Sequence, residues 1–380
     1  MEHRRKKILI ACDSSRSLID FRGRLIEALV VHNDVSVYTP RIYSKNIRDR
    51  LNHLEVAVYE NDLEASNVSL FSDIKYIYDL YLTIKRVRPD VFFPYAFKPV
   101  IYGSLIAKFC NVTKITPMLT GLGNNFYGNQ SKPLIKRITQ TLLKRALASK
   151  GDMRVILQNK DDEDTLRRLE IIEKDSKVFV VNGSGVDLSF YAYSKPRNQQ
   201  VVFLMISRLI NAKGVKEFYD ASLSIVGKYP DVKFQLIGPV DNNIDSISDT
   251  LFNQIQNGTT IEYLGEVSDI RPHIEKSSVV VLPSYYGEGV PRCILESMAI
   301  GRAVITTDSV GCRETVSYLN GKKNGFLVPV KDVSALVESM EYFMKHKEDI
   351  IRYGENGRTL AAQKFDVDHV NRHMMDILES

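Results

Sequence analysis

Short runs of β-branched and other apolar residues recur along this chain, each followed by a stretch with helical periodicity. In the first half Lys7–Ala11, Val35–Tyr38, Val91–Phe93, Lys114–Met118, Val155–Leu157 and Val178–Val181 read as strands. Phe21–Val31, with Leu25, Ile26, Leu29 and Val30 on one face, and Ile74–Val87, stopped by Arg88-Pro89, read as helices between them. The second half repeats the rhythm with Val201–Ile206, Phe234–Ile237, Ile261–Leu264, Val279–Leu282 and Val304–Thr306 as strands. Its helices are Gly214–Val226, Pro291–Ala299 and Val333–Phe343. Continuous apolar runs suit strands covered on both faces, and strands alternating with helices pair in parallel through crossovers. The pattern therefore predicts an α/β protein with two doubly wound parallel sheets. The polar, proline-containing stretch Tyr193–Gln200 is the expected linker. It separates a first domain, 1–192, from a second, 201–365, with a final helix, 366–380, packing back on the first. Ligands of open α/β sheets bind at the carboxyl ends of the strands, so a cleft between two such ends is the expected site.

Composition narrows the class. Of 380 residues, 44% are hydrophobic and 26% charged, which suits a globular protein and excludes a disordered one. No apolar run approaches the ~18–20 residues that span a bilayer. The run Ile8–Cys12 is too short for a signal peptide. Cys12, Cys110, Cys293 and Cys312 lie far apart with no C-x-x-C pair, which predicts reduced thiols, a cytoplasmic protein and no zinc site. The seven histidines are scattered without metal-ligand spacing. The net charge of +5 hides an asymmetry. Residues 1–182 hold 30 Lys+Arg against 21 Asp+Glu, and residues 183–380 hold 21 against 25. A basic half joined to a mildly acidic one points to an anionic partner: nucleic acid, a phosphorylated ligand or a bilayer surface.

Two segments carry chemistry. Tyr286-Gly287-Glu288-Gly289-Val290-Pro291-Arg292-Cys293-Ile294-Leu295-Glu296 follows the strand Val279–Leu282. Gly287 and Gly289 allow close backbone approach to a ligand, and Pro291 suits the first turn of a helix whose free N–H groups attract an anion. Glu288 in the loop and Glu296 in the helix can accept hydrogen bonds from sugar hydroxyls at two ends of one ligand. Ser207-Arg208-Leu209-Ile210-Asn211-Ala212-Lys213-Gly214 directly follows the strand Val201–Ile206. Arg208 can fork onto a phosphate and Lys213 can act as a point charge beside it. Taken singly, each segment also reads as solvated surface charge.

Taken together the two segments resemble the retaining GT-B glycosyltransferases of family 4, whose fold is two Rossmann-like domains facing across a cleft. Glu288 and Glu296 match that family's E-x7-E, and Arg208 and Lys213 match its Arg and Lys after the first C-terminal strand. Asn182-Gly183-Ser184-Gly185-Val186-Asp187, Tyr263-Leu264-Gly265, Gly311-Cys312-Arg313-Glu314 and Asn324-Gly325-Phe326-Leu327-Val328 resemble further family motifs in the same order. Phe21-Arg22-Gly23-Arg24-Leu25-Ile26, Lys98-Pro99-Val100-Ile101-Tyr102-Gly103-Ser104 and Thr120-Gly121-Leu122-Gly123 resemble one bacterial subgroup. Its members add a sugar, often an N-acetylhexosamine such as GalNAc, to a polyprenyl-diphosphate-linked saccharide in glycan, O-antigen or capsule assembly. The resemblance implies a UDP-sugar donor, retention of anomeric configuration, no cofactor and no metal. It implies Arg208, Lys213 and Glu288 as catalytic groups, and Glu296, Gly287, Gly289, Val290, Pro291, Leu264 and Gly265 around the donor. It places Arg22, Lys98, Thr120 and Gly121 on the acceptor side. The chain departs from the family at Asp13-Ser14-Ser15-Arg16, where a glycine pair is usual. It departs again at Leu119-Thr120-Gly121-Leu122, where a histidine is usual.

Ser131–Lys150 has six cations and no acid. Leu134, Ile138 and Leu142 share one helical face, with Ile135 and Leu143 beside them and Lys136, Arg137, Lys144 and Arg145 flanking. Such a helix can lie on the inner face of a cell membrane as a peripheral contact with anionic lipid. It can equally be a crossover helix with its apolar stripe on the sheet. Two alternatives to a transferase remain at this level: a nucleic-acid-binding protein using the basic half, and a GT-B sugar-nucleotide epimerase. No helix-turn-helix, RNP or zinc pattern supports the first, and no histidine at the expected strand ends supports the second.

Overall fold

The structure is a computed structural model that describes residues 4–63, 70–123, 126, 133–196, 199–241, 245–318 and 322–380. It divides into two compact units, residues 1–184 with 368–380, and residues 185–367.

The first unit holds seven parallel strands: β1 (Lys7–Ala11), β2 (Asp34–Pro40), β3 (Ala57–Asn61), β4 (Val91–Pro94), β5 (Lys114–Ile115), β6 (Asp152–Leu157) and β7 (Lys177–Val180). Their order in the sheet is β3-β2-β1-β4-β5-β6-β7. The chain winds outward one way from β1 and then the other way from β4, so the topological switch lies between β1 and β4. Alternate residues of β1 enter opposite cores, which is why the run is apolar throughout. Ile8 and Ile10 pack with the helix Gly23–His32, and Leu9 and Ala11 pack with the helices Leu70–Val87 and Pro133–Leu147. The last helix, Val367–Glu379, inserts Val370, Met374, Ile377 and Leu378 into the first of these cores. The Arg154 guanidinium and the Lys114 ammonium donate to the carbonyl oxygens of Ile377 and Ser380 over 3.0 and 3.2 Å.

The second unit repeats the plan with β8 (Val202–Ile206), β9 (Lys233–Ile237), β10 (Glu262–Tyr263), β11 (Val279–Leu282), β12 (Ala303–Thr307) and β13 (Gly325–Val328). The order β10-β9-β8-β11-β12-β13 again puts the switch between the first strand, β8, and the fourth, β11. Among the described residues, no helix is long and apolar enough to cross a membrane, and all four cysteines are free thiols.

The structure corrects the expected domain boundary, which falls between Ser184 and Gly185, upstream of Tyr193–Gln200. Residues 185–192 belong to the second unit because its core holds them. Val186 and Tyr191 are buried there, and Val186 exchanges backbone hydrogen bonds with Phe365 (2.7 Å) and Val367 (3.1 Å). Even Ser194 is tied down, its N–H donating to the carbonyl of Ile300 over 3.0 Å. Arg197 and Asn198 of the expected linker lie outside the described residues. β3 and β13 were not legible as strands: β3, Ala-Val-Tyr-Glu-Asn, is an edge strand with no continuous apolar run.

Of the two orientations open to the basic helix, Pro133–Leu147, the structure does not take the one that buries the 134/138/142 stripe on the sheet. Leu143, Ala146 and Leu147 are buried against the sheet, whereas Leu134 and Ile138 face solvent and Leu142 is half-buried. The inward face is set by the C-terminal half of the helix, which the 134/138/142 spacing did not reveal. Ser131, Lys132 and the Ile135 side chain lie outside the described residues.

Candidate active site

The second unit brings its chemistry-bearing residues to one end of its sheet. All six strands are parallel, so the loops after β8, β10 and β11 emerge at the same edge. Arg208 is two residues beyond β8, and Lys213 ends the single turn Asn211–Lys213 that follows. Gly214 then adopts φ +78°, and a Cβ there would lie 2.2 Å from the Pro283 carbonyl oxygen. Only glycine lets the β8 loop press against the start of the β11 loop. The contact is sealed by the Tyr285 N–H, which donates to the Ala212 carbonyl over 2.8 Å.

The β11 loop, Pro283 to Pro291, is held from both sides. The Thr307 hydroxyl at the end of β12 and the Ser309 hydroxyl two residues beyond it (2.9 Å) both donate to the Ser284 carbonyl. From beyond β12, Gly311 (φ +76°) backs onto the loop so closely that a Cβ would sit 2.3 Å from the Gly289 carbonyl oxygen. Pro291 caps the helix Arg292–Ile300, whose N-terminus thus opens beside Glu288. Glu288 accepts from the Ser284 hydroxyl over 2.9 Å and forms a salt bridge with the Lys213 ammonium. Both side chains are largely buried. Burial opposes the Lys213 charge, but Glu288's charge and hydrogen bond outweigh it and hold this ammonium above the ordinary lysine range. The Tyr286 ring lies 5.1 Å from the Lys213 ammonium and 6.0 Å from the Arg208 guanidinium. Arg208 itself is half exposed and pairs with Asp241 at 2.7 Å.

Glu296 sits one turn further along the helix and is only 6% exposed. Its Oε1 accepts from the Tyr191 hydroxyl over 2.8 Å and from Arg292 Nε over 2.6 Å. Burial works against the Arg292 charge, yet the Glu296 charge and hydrogen bond keep it raised. Burial and the Glu296 charge push the Tyr191 phenol up, so it donates throughout the physiological range. Leu264 and Gly265 follow β10. Gly265 has φ +68° and open space around it, and its carbonyl accepts from the Gly238 N–H over 2.9 Å. Cys293 is next to this chemistry but is no nucleophile, because burial pushes its thiol up to about 12.

In the first unit the expected acceptor-side residues lie in the segments around Met118, to which both Arg22 and the Ala96 N–H donate. Thr120 is exposed beyond β5, and Gly121 follows with φ +125°. Lys98 pairs with Asp73 at 3.3 Å, and the Tyr102 hydroxyl donates to the same carboxylate over 2.9 Å. Arg22 is 2% exposed, donates to Met118 Sδ over 3.0 Å and lies 5.5 Å from the Tyr95 ring. Tyr95 follows β4 and Met118 follows β5, so the guanidinium lies against the chain just beyond these two strand ends. Asp13, at the end of β1, has its carboxyl pushed up to about 6 by burial, against the lowering effect of Lys98. On the basic helix Arg137, Lys144 and Arg145 are exposed and Lys136 is half-buried.

Sequence reasoning missed Tyr191, Asp241, Ser284, Tyr286 and Arg292 as parts of the site. Arg292 was findable, since an arginine four residues before a helical glutamate forms an i,i+4 pair. Tyr191 lies 105 residues from its partner Glu296, and no local pattern links them.

Residues 200–346 match the family model "Glycosyl transferases group 1". Over 377 residues the chain is 28% identical to the N,N'-diacetylbacillosaminyl-diphospho-undecaprenol alpha-1,3-N-acetylgalactosaminyltransferase of Campylobacter jejuni, covering 92% of this chain and 94% of that enzyme. It is 25% identical over 291 residues to the UDP-Gal:alpha-D-GlcNAc-diphosphoundecaprenol alpha-1,3-galactosyltransferase of Escherichia coli, covering 72% and 71%. Among solved structures, the sucrose-phosphate synthase of Thermosynechococcus elongatus superposes with a TM-score of 0.79 at 18% identity, covering 98% of both chains. Anabaena HepE, in complex with UDP and glucose, superposes with a TM-score of 0.76 at 17% identity, covering 98% and 99%. Two parallel Rossmann-like sheets are the fold shared with those GT-B enzymes. The chain is therefore built on the GT-B fold of these neighbours, and its residues 200–346 are similar to the glycosyl transferases group 1 model.

Proposed function

We propose that this protein is a retaining, metal-independent glycosyltransferase that moves a sugar, an N-acetylhexosamine such as GalNAc, from a UDP-sugar to a polyprenyl-diphosphate-linked saccharide in bacterial surface-glycan synthesis. The observation that carries the reading is the Arg208–Lys213–Glu288 group at the switch point of the second sheet, where a nucleotide's phosphates would lie. The near full-length likeness to a transferase named for an undecaprenol-linked acceptor supports the acceptor class.

In this reading Arg208 and Lys213 hold the diphosphate and neutralise the charge that grows on it as the glycosidic bond breaks. Such preorganised charge is often the largest catalytic contribution. The N-terminus of the helix Arg292–Ile300 adds its partial positive charge. Lys213 is paired with Glu288 before the donor binds. The arriving diphosphate competes for the ammonium, and Glu288 then accepts hydrogen bonds from the donor-sugar hydroxyls. Glu296, anchored through Oε1, presents its carboxylate to the ribose. The acceptor hydroxyl attacks from the face the diphosphate leaves, and the departing phosphate takes its proton, which keeps the anomeric configuration. Two fixed cations supply the charge that a divalent metal supplies in other transferases. The protein works at the cytoplasmic face of the membrane, where its acceptor is anchored.

A panel of UDP-sugars tests this by thermal shift, followed by incubation with a lipid-linked saccharide in the presence of chelator. One UDP-sugar is expected to stabilise the protein and to give UDP release that depends on the acceptor. No stabilisation by any member of the panel would overturn the donor assignment.

A further inference from the structure

The helix Leu70–Val87 has two apolar faces, and the sheet accounts for only one of them. Tyr76, Leu80 and Ile84 repeat at i, i+4, i+8 and are buried against the sheet. Ile74, Tyr78 and Leu82 repeat at the same spacing on the opposite side and point to solvent. The neighbouring helices of the same layer continue this outer surface. Phe109 ends the helix Ser104–Phe109, and its ring lies 6.1 Å from that of Tyr81. Leu134 and Ile138 occupy the outer side of the helix Pro133–Leu147. All three helices pack their inner sides into the core that holds Leu9, Ala11 and Phe92, so their outer sides face the same way. The six outward side chains are between 46 and 72% exposed. Isolated surface hydrophobics are ordinary, but six large ones on one layer mark a contact surface.

The charges on this surface select the partner. Lys85 reaches over the Tyr81 ring at 5.8 Å. Arg137, Lys144 and Arg145 stand exposed beside Leu134 and Ile138 on a helix without an acid. Apolar and aromatic tips interleaved with cations suit the headgroup and acyl boundary of an anionic bilayer. A second copy of this chain would bring an equal cluster of cations against them.

We propose that the outer surface of this helix layer, with Ile74, Tyr78, Leu82 and Phe109 at its centre, is the membrane-contact face of the protein and enters the interface of an anionic bilayer. This deepens, and rests on, the reading of a lipid-linked acceptor. It moves the anchor from the charges of one basic helix to an apolar stripe on a different helix, with those charges as its rim. The geometry gives two separable contributions. The cations draw the protein to anionic lipid over a distance that salt shortens, and the apolar tips hold it by burial that salt does not weaken.

The test uses the full chain and vesicles of phosphatidylcholine with or without phosphatidylglycerol, at low salt and at about 0.5 M salt. The wild-type protein is expected to co-sediment with anionic vesicles and to retain a measurable part of that binding at high salt. The variant Ile74→Ser/Tyr78→Ser/Leu82→Ser is expected to bind about tenfold more weakly or worse, the order set by losing a few apolar contacts, and to be released completely by salt. Phe109→Ser alone should show the same trend. Reversing Lys136, Arg137, Lys144 and Arg145 to Glu should abolish the preference for anionic lipid. All these variants should keep the wild-type thermal shift with UDP-sugar and the wild-type transfer to a short soluble acceptor, while transfer to a vesicle-bound acceptor falls with binding. Vesicle binding by the triple variant at the wild-type level, at both salt concentrations, would overturn the proposal. So would a concentration-dependent dimer that the triple variant dissolves while vesicle binding is unchanged, which would make the stripe a contact between copies. Vesicle binding that follows the stripe in a protein that transfers no sugar would support the surface and overturn the enzymatic reading instead.

Discussion

Replacing Lys213 by methionine separates what this residue does for the fold from what it does for the reaction. The substitution removes an ammonium from a pair whose side chains are 14 and 12% exposed. Breaking a buried ion pair by deleting one partner costs about 3–5 kcal/mol, because the other charge is left without compensation. Here some exposure remains, and the Ser284 hydroxyl still donates to the same Glu288 oxygen over 2.9 Å. The cost therefore falls at or just below the lower end, about 2–3 kcal/mol. At roughly 2–4 °C per kcal/mol for a domain of this size, Lys213→Met should lower the melting temperature by about 4–12 °C. Combining Lys213→Met with Glu288→Gln removes both charges and should recover stability to within about 1 kcal/mol of wild type. Turnover follows a different rule. Loss of one group that stabilises the transition-state charge costs ~10²–10³-fold, and the double variant cannot recover it. The assay is a pair of thermal melts and a single-turnover rate for each variant. Equal destabilisation by the single and double variants would refute the pairing argument, and a near wild-type rate in either would remove Lys213 from the phosphate site.

Further outcomes follow from the same geometry. Arg208→Ala should cut turnover ~10²-fold yet leave stability within about 1 kcal/mol, because its pair with Asp241 is half exposed; a melt and a rate check both. Glu296→Ala should chiefly weaken UDP binding, and Glu288→Ala should chiefly slow transfer. Tyr191→Phe should reduce the preference for UDP over 2′-deoxy-UDP measured by titration, by about tenfold, the lower end of the value of one hydrogen bond to a charged group. Asp13 predicts a pH effect on stability. Its folded pKa, about 6, lies above the ~3.9 of an unfolded aspartate, so its contribution is most favourable below about pH 4 and is lost as pH rises through 6. Asp13→Asn should raise the unfolding free energy by about 3 kcal/mol at pH 8 and hardly change it at pH 4, as read from denaturant titrations.

What the sequence disclosed depended on how local the physics is. β1 and β11 were readable to the residue because a strand buried on both faces is an unbroken apolar run, opened here by Lys7 and Ser278. β3 was not, since one side of an edge strand carries no such demand. The loops after β8 and β11 were legible because glycines, a proline and charges sit directly at strand ends. Their assembly was not, because the Lys213–Glu288 and Tyr191–Glu296 contacts join residues 75 and 105 positions apart. The domain boundary misled for a related reason. Composition marks Tyr193–Gln200 as a linker, but Val186 and Tyr191 upstream of it answer to the second core, through partners as distant as Phe365. The basic helix shows that an i, i+4, i+8 apolar face need not be the buried one when a neighbouring face carries Leu143, Ala146 and Leu147.

The proposed reaction is transfer of one sugar, with retention, by a site that needs no metal. The most direct measurement is to incubate the protein with UDP-GalNAc, a polyprenyl-diphosphate-linked saccharide and excess chelator, and to determine the product by mass spectrometry and the anomeric coupling of the new linkage by NMR. The account predicts an acceptor heavier by one N-acetylhexosamine, joined in the same α configuration as in the donor. An acceptor of unchanged mass across all UDP-sugars, or a product joined in the β configuration, would contradict it.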